Sequence, residues 1–177
     1  MQAQYLKIMA FAAFLHSAVA CSDAFSHETV EIGFSPGNAE DLVIQTIRSA
    51  SKNIRVLAYS FTSRPIAKAL LDAHKRGVDI MVVVDESQRS EKYTSASFLA
   101  NSGIPVRVDD RHAIMHSKVI VVDGETVQTG SFNFTSAAAT RNAENVVVLK
   151  GNPKIAGEYL KDWMMHWQHS VPYDPRY

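Results

Sequence analysis

The sequence predicts an α/β fold in which a mixed, largely parallel β-sheet is sandwiched between α-helices within a single domain. Three observations predict it. Strand-like and helix-like stretches alternate from Val30 to Val108, the pattern of parallel strands joined by crossover helices. The stretch VDIMVVVD (78–85) is apolar almost throughout, as a strand covered on both faces must be. Further on, Asp123-Gly124 separates two apolar runs, a hairpin signal that adds antiparallel strands.

The elements follow in order. ETVEIGF (28–34) alternates Val30, Ile32 and Phe34 with polar neighbours, a half-buried strand. Ser35-Pro36-Gly37-Asn38 breaks it. Asn38 then caps a helix whose stripe is Leu42, Val43, Ile44 and Ile47. IRVLAYSF (54–61) is the next strand. Ser63 and Pro65 open a helix through Ile66, Leu70, Leu71 and His74, and Gly77 closes it, with proline near the start and glycine after the end. A polar loop beyond Asp85 leads to a short helix from Tyr93 to Asn101, ended by Gly103, and PVRVD (105–109) is a strand. ENVVVL (144–149) adds another. Asn152-Pro153 starts a last helix carrying Ile155, Tyr159, Leu160, Trp163, Met164 and Trp167, and the proline-rich tail VPYDPRY cannot extend it.

Length and composition narrow the classes. The chain has 177 residues, suited to one domain. A hydrophobic fraction of 46% and a charged fraction of 20% exclude a disordered or fibrous protein. Lysine plus arginine equals aspartate plus glutamate at 18 each, so a polyanion must be gripped by a local cluster rather than drawn in by net charge. That argues against a DNA-coating protein, not against an enzyme acting on phosphodiesters.

Residues 1–21 carry one cation, Lys7, an apolar run over 8–15, and Ala18-Val19-Ala20. This is the layout of a secretory signal cleaved near Ala20, leaving 22–177 as a periplasmic or secreted domain. The run is shorter than the roughly 20 residues that span a bilayer. Cys21 is the only cysteine, so no internal disulfide forms. Its place after Ala20 admits a lipid anchor, which Ala18, standing where such signals carry leucine, disfavours.

The chemistry gathers at the open end of the hairpin HSKVIVVDGETVQTGSFN (116–133). With Asp123 and Gly124 as a two-residue turn, Val122 faces Glu125, Ile120 faces Val127, Lys118 faces Thr129 and His116 faces Ser131. Alternation then sets His116, Lys118, Ser131 and Asn133 on one face. A lysine, a hydroxyl and a carboxamide can donate to phosphate oxygens, and an imidazole can attack phosphorus or move a proton. Asp123 is accounted for by the turn alone, so it is expected to be structural and to make no phosphate contact.

His116-x-Lys118, four residues, Asp123, six residues, then Gly130-Ser131-x-Asn133 matches HxK(x)4D(x)6GSxN, the signature of the phospholipase D superfamily. From about residue 29 to 167 the chain resembles that superfamily, above all its small secreted bacterial endonucleases. The resemblance implies a phospholipase D-like fold with His116 as the nucleophile that forms a covalent phosphohistidine. It also implies Lys118 and Asn133 as phosphate ligands, with Ser131 orienting its neighbours. Glu144 is placed like the acidic partner that fixes the histidine tautomer.

Longer members carry two copies of the motif lining one site, whereas no second H-x-K occurs here. A homodimer with its twofold axis through the site would supply the second histidine, and the two imidazoles would titrate as a coupled pair. No cofactor is implied. Asp109, Asp110 and His112 with His116 form a conceivable metal set, but loop aspartates are commonly turn formers and a phosphohistidine needs no metal, so none is assigned. Arg111 and His112 are instead expected to touch substrate at the cleft rim. His166 and His169 are expected on an amphipathic helix, and Tyr59, Phe61 and Phe134 in core packing rather than base stacking.

The expected function is therefore a metal-independent phosphodiesterase, an endonuclease hydrolysing DNA or RNA with little sequence preference. Two other readings stand beside it: a phospholipase D or phosphatidyl transferase, and a non-catalytic dimeric binder of phosphate or nucleic acid. An intact His116 argues against the binder, which has no use for a nucleophile.

Overall fold

Alternating strand and helix signals become, in the computed structural model, β1 (Thr29–Ser35), α1 (Ala39–Arg48), β2 (Asn53–Ala58), α2 (Arg64–Lys75) and β3 (Asp79–Asp85). A 3-10 turn (Glu86–Arg89), α3 (Ser95–Asn101), β4 (Val106–Asp109), β5 (Lys118–Val122) and β6 (Thr126–Gly130) follow. The chain continues through α4 (Ser136–Thr140), β7 (Glu144–Lys150), α5 (Pro153–His169) and β8 (Val171–Pro172). The structure describes residues 28–90 and 94–174. Residues 1–21, where a secretory signal and the lone Cys21 are expected, and Tyr93 lie outside the described residues.

All eight strands form one sheet in the order β1-β7-β6-β5-β2-β3-β4-β8. The sheet is mixed, as expected, but its parallel part is smaller than expected. Only β2–β3 and β3–β4 run parallel. β1, expected to begin the parallel series, pairs antiparallel with β7, with Ile32 opposite Val147. A crossover helix shows that the chain has passed over the sheet, not how many strands it has passed. Here α1 carries the chain across the places later filled by β7, β6 and β5.

Two apolar layers hold the sheet. On one face Ile54, Val56, Ile80, Val82, Val84, Ile120 and Val122 pack with Leu42, Val43 and Ile47 of α1 and Ile66 and Leu70 of α2. On the other, Leu57, Val83, Val119, Val121 and Val127 meet Ala156 and Trp163 of α5. β3 is buried on both faces, as its unbroken apolar run requires. Each such Val, Leu or Ile contributes about 1.5–3 kcal/mol by burial.

The helix ends follow local chemistry. Ser63 Oγ accepts from the Ile66 amide (3.3 Å) and Asn152 Oδ1 from the Ile155 amide (2.9 Å), satisfying amides that a helix start leaves unpaired. Asn38 does not cap α1 with its side chain; its Oδ1 turns back to accept from the Phe34 amide (3.1 Å). The tail turns to pair Val171 with Val108 at the sheet edge, where a proline is tolerated.

Candidate active site

β5 and β6 form the expected hairpin in a different register. Val122 pairs with Thr126, Val121 with Val127 and Ile120 with Gln128, one residue away from the two-residue-turn alignment. Asp123 and Gly124 take the positive φ values of such a turn (+54° and +72°), and the Glu125 amide donates to Val122 O (3.1 Å). Glu125, however, turns its own carbonyl to the Asn152 amide (2.9 Å) and leaves the ladder.

The shift sets Thr126, Gln128 and Gly130 on the Lys118 face, so unbroken alternation would send Ser131 to the other side. Gly130 breaks it. Its φ is +147°, and a Cβ there would lie 2.2 Å from the Asn145 carbonyl oxygen. That oxygen accepts from the amides of Ser131 (3.1 Å) and Phe132 (3.3 Å), so the chain is turned onto the head of β7. There Ser131 Oγ donates to Glu144 Oε2 (2.6 Å) and accepts from the Asn145 amide (3.1 Å).

Lys118 joins the two halves of the site. Its Nζ donates to His116 O (2.6 Å) and lies 2.9 Å from His116 Nδ1. The residue is only 5% exposed, and burial pushes its ammonium below the usual lysine range, with the Glu144 charge opposing that shift. The His116 ring is solvent-exposed. A lysine that donates to Nδ1 leaves the ring proton on Nε2. Tyr59, set aside as core in the sequence reading, packs its ring 4.5 Å from the His116 ring and lies under Lys118 Nζ at 5.0 Å. Its signal was positional: it follows β2, whose end pairs Ala58 with Lys118.

Glu144 makes no hydrogen bond to His116 within the chain. Its oxygens are taken by Ser131 and by Asn142 Nδ2 (2.9 Å), and Lys118 occupies the imidazole Nδ1. Asn133 sits between Phe132 and Phe134, both fully buried, and its buried Oδ1 has no hydrogen-bond partner in the protein. Phe61 and Phe134 meet edge to face at 5.8 Å inside the core, as expected. Asp85 was not foreseen: its Oδ2 accepts from the Met115 amide (2.7 Å) and so holds the residue before His116.

Asp123 touches none of these groups. Its carboxylate accepts from the amides of Ser51, Lys52 and Asn53 and from Ser51 Oγ, at 2.7–2.8 Å. Burial raises its pKa, but these hydrogen bonds outweigh burial and hold it below the usual carboxylate value.

Arg111 is exposed on the loop after β4, and no contact brings it to His116 or Lys118. His112 turns inward instead, with Nδ1 2.9 Å from Asp109 Oδ2. His166 and His169 lie on α5, as expected, yet both face that same aspartate.

The family described as "Cardiolipin synthase, PLD-like domain" matches residues 43–167. The chain belongs to the phospholipase D-like family. Among curated relatives of this family, "Phospholipase D" of Rickettsia bellii (strain RML369-C) is 37% identical over 129 residues, covering 73% of this chain and 64% of that protein. "Mitochondrial cardiolipin hydrolase" of Chlamydomonas reinhardtii is 31% identical over 119 residues, covering 67% of this chain and 53% of that one. The chain thus spans just under two thirds of the Rickettsia relative. Among solved structures, the phospholipase D family member Nuc from Salmonella typhimurium is similar with a TM-score of 0.81 and 47% identity, over 83% of this chain and 99% of that one. NucT from Helicobacter pylori, at 21% identity and a TM-score of 0.74 over 83% of this chain and 100% of that one, shares the fold. The phospholipase D-like fold expected from the motif is thereby shown.

Proposed function

We propose that the protein is a metal-independent phosphodiesterase, an endonuclease cleaving DNA or RNA, with one site shared across a homodimer and a covalent phosphohistidine intermediate. The contact that carries this reading is Lys118 Nζ against His116 Nδ1 at 2.9 Å. It sets a buried cation beside an exposed imidazole, inside a complete HxK(x)4D(x)6GSxN motif. In the proposed reaction the attacking His116 gives up its Lys118 contact and carries its ring proton on Nδ1, so that the free Nε2 lone pair forms the P–N bond as the bond to the leaving oxygen breaks. The other His116, as an imidazolium, gives its Nε2 proton to that oxygen and becomes neutral. Water, losing a proton to that neutral imidazole, then attacks phosphorus as the P–N bond breaks and the first histidine is released. Lys118 and Asn133 from both chains would stabilise the charge that develops on phosphorus-bound oxygens.

Two features support the pairing. Glu144 is held by Ser131 and Asn142 rather than by its own His116, which favours an acidic partner for the attacking imidazole supplied by the other chain. Val30, Ile32 and Phe34 are 62%, 55% and 62% exposed in a row on edge strand β1, and Phe34 pairs with Asn145 beside Ser131. Such a strip on an edge favours a protein contact. Phosphate contacts read no bases, which supports cleavage with little sequence preference.

The names of the curated relatives, a phospholipase and a cardiolipin hydrolase, favour a second reading in which a phosphatidyl ester is the substrate. A nuclease zymogram in chelator beside phosphatidylcholine and cardiolipin assays separates the two. We expect nucleic acid to be degraded in chelator, and lipid cleavage without nuclease activity would overturn the first reading. Export to the periplasm or medium belongs to the same proposal, and fractionation of the producing cells tests it.

A further inference from the structure

We propose that Asp109, His112, His166 and His169 hold one divalent transition-metal ion of the zinc class. The ion would close a structural site that ties the loop carrying His116 to α5. This site does not depend on the phosphodiesterase reading.

Two short spacings build it. Asp109 ends β4, fully buried, and its Oδ1 accepts from the amides of Arg111 (3.0 Å) and His112 (3.4 Å), a turn that folds His112 back over the strand end. His166 and His169 stand three apart on α5, hence on one helix face, and the last turn of that helix lies against Asp109. Asp-x-x-His and His-x-x-His therefore converge from positions 57 residues apart.

Three imidazoles share one carboxylate oxygen. His112 Nδ1, His166 Nδ1 and His169 Nε2 lie 2.9, 2.6 and 3.0 Å from the single oxygen Asp109 Oδ2. A carboxylate oxygen offers two lone pairs, and here three ring nitrogens crowd it. The four donor atoms all lie within 4.8 Å of one another. Ligands of a tetrahedral zinc ion, about 2.0–2.1 Å from the metal, sit roughly 3.3 Å apart. Small side-chain adjustments would admit the ion.

His166 sharpens the point. Its Nε2 lies 3.7 Å from Asp162 Oδ2, on the side from which a carboxylate can orient a metal-bound histidine after a small shift. Its Nδ1, 2.6 Å from Asp109 Oδ2, is turned into the cluster. The three imidazole centroids lie 5.0–5.5 Å apart. One divalent ion satisfies all four groups.

Three nitrogens and one oxygen suit zinc and its neighbours, whereas calcium and magnesium select oxygen sets. Four protein ligands leave no open position, which marks a structural rather than a catalytic site. His112 and His169 side chains are 44% and 24% exposed, so an ion has a way in. The segment 109–117 would then be held at Asp109 and His112 by metal and at Met115 by Asp85, fixing the approach to His116. The set weighed from the sequence differs, since His116 is not a member of this one.

The test uses the full chain, stripped with chelator and dialysed against cobalt(II) chloride. One cobalt per chain is expected, with the intense visible absorption of a four-coordinate ion, displaced by zinc. His112→Gln and His169→Ala, both at partly exposed positions and checked for fold by circular dichroism, should each weaken binding at least tenfold. X-ray absorption of the zinc-loaded wild type should show outer-shell scattering from three imidazoles, whether or not the variants fold. A folded wild type that binds no stoichiometric ion would overturn the proposal. So would equal binding by folded variants, or a zinc shell without imidazole scattering.

Discussion

Lys118 Nζ lies 2.9 Å from His116 Nδ1, with the lysine almost wholly buried and the histidine in solvent. The lysine is kept at a cost to the fold, because burial disfavours its charge. Replacing it should separate stability from activity.

Lys118→Met is expected to raise the melting temperature while lowering phosphodiester cleavage by about 100-fold or more, the usual effect of losing one charge-stabilising donor. A gain of about 1 kcal/mol would appear as roughly 2–4 °C in a chain of this size. The pH dependence has a definite sign. The folded-state pKa of Lys118 lies below the unfolded value of 10.5, so between the two the unfolded chain binds more protons and wild-type stability rises with pH. The advantage of Lys118→Met should therefore shrink as pH climbs toward 10.5. A stability difference independent of alkaline pH would contradict this.

Mixed dimers decide whether the site is shared. Wild-type chains paired one to one with His116→Ala chains should be almost inactive if both imidazoles serve one phosphate, and half active if each chain works alone. Differently tagged chains, purified in tandem and assayed before they exchange, give the answer.

Asp123 ties the hairpin to the α1–β2 loop through four accepted hydrogen bonds. Asp123→Asn would turn an amide group toward donors and should cost about 2 kcal/mol, measured by urea unfolding. The wild-type carboxyl has its folded pKa below the ordinary 3.8, so its contribution is present above that value and disappears as pH falls through the lower folded pKa. Acid titration of the two proteins should bring their stabilities together.

Gly130→Ala tests the chain reversal that delivers Ser131. Its Cβ would lie 2.2 Å from a backbone oxygen, so a loss on the order of 3 kcal/mol is expected, together with a fall in activity in whatever fraction stays folded. Thermal melts that match wild type would show that the close approach relaxes freely.

Parts of this molecule could be read directly and parts could not. Asp123 was legible as a turn former because Asp-Gly favours positive φ by itself. Ser63, Pro65 and Gly77 marked the bounds of α2 because capping depends only on neighbouring residues. The hairpin register was not legible, since Glu125 leaves the ladder for Asn152 of a later loop. Glu144 was legible as part of the site, but its partners were not: within the chain it serves Ser131 and Asn142. His166 and His169 read as ordinary amphipathic-helix residues because their common partner, Asp109, lies more than fifty positions away.

By itself the sequence determined the alternation of elements, the family motif and the polar end of the hairpin, because periodicity and turn chemistry act between residues close along the chain. Only the tertiary structure decided which strands became neighbours, that Tyr59 packs on His116, and that three histidines meet one buried carboxylate. Those outcomes depend on how helices and sheet pack across long separations, where small shifts of register and helix rotation choose the partners.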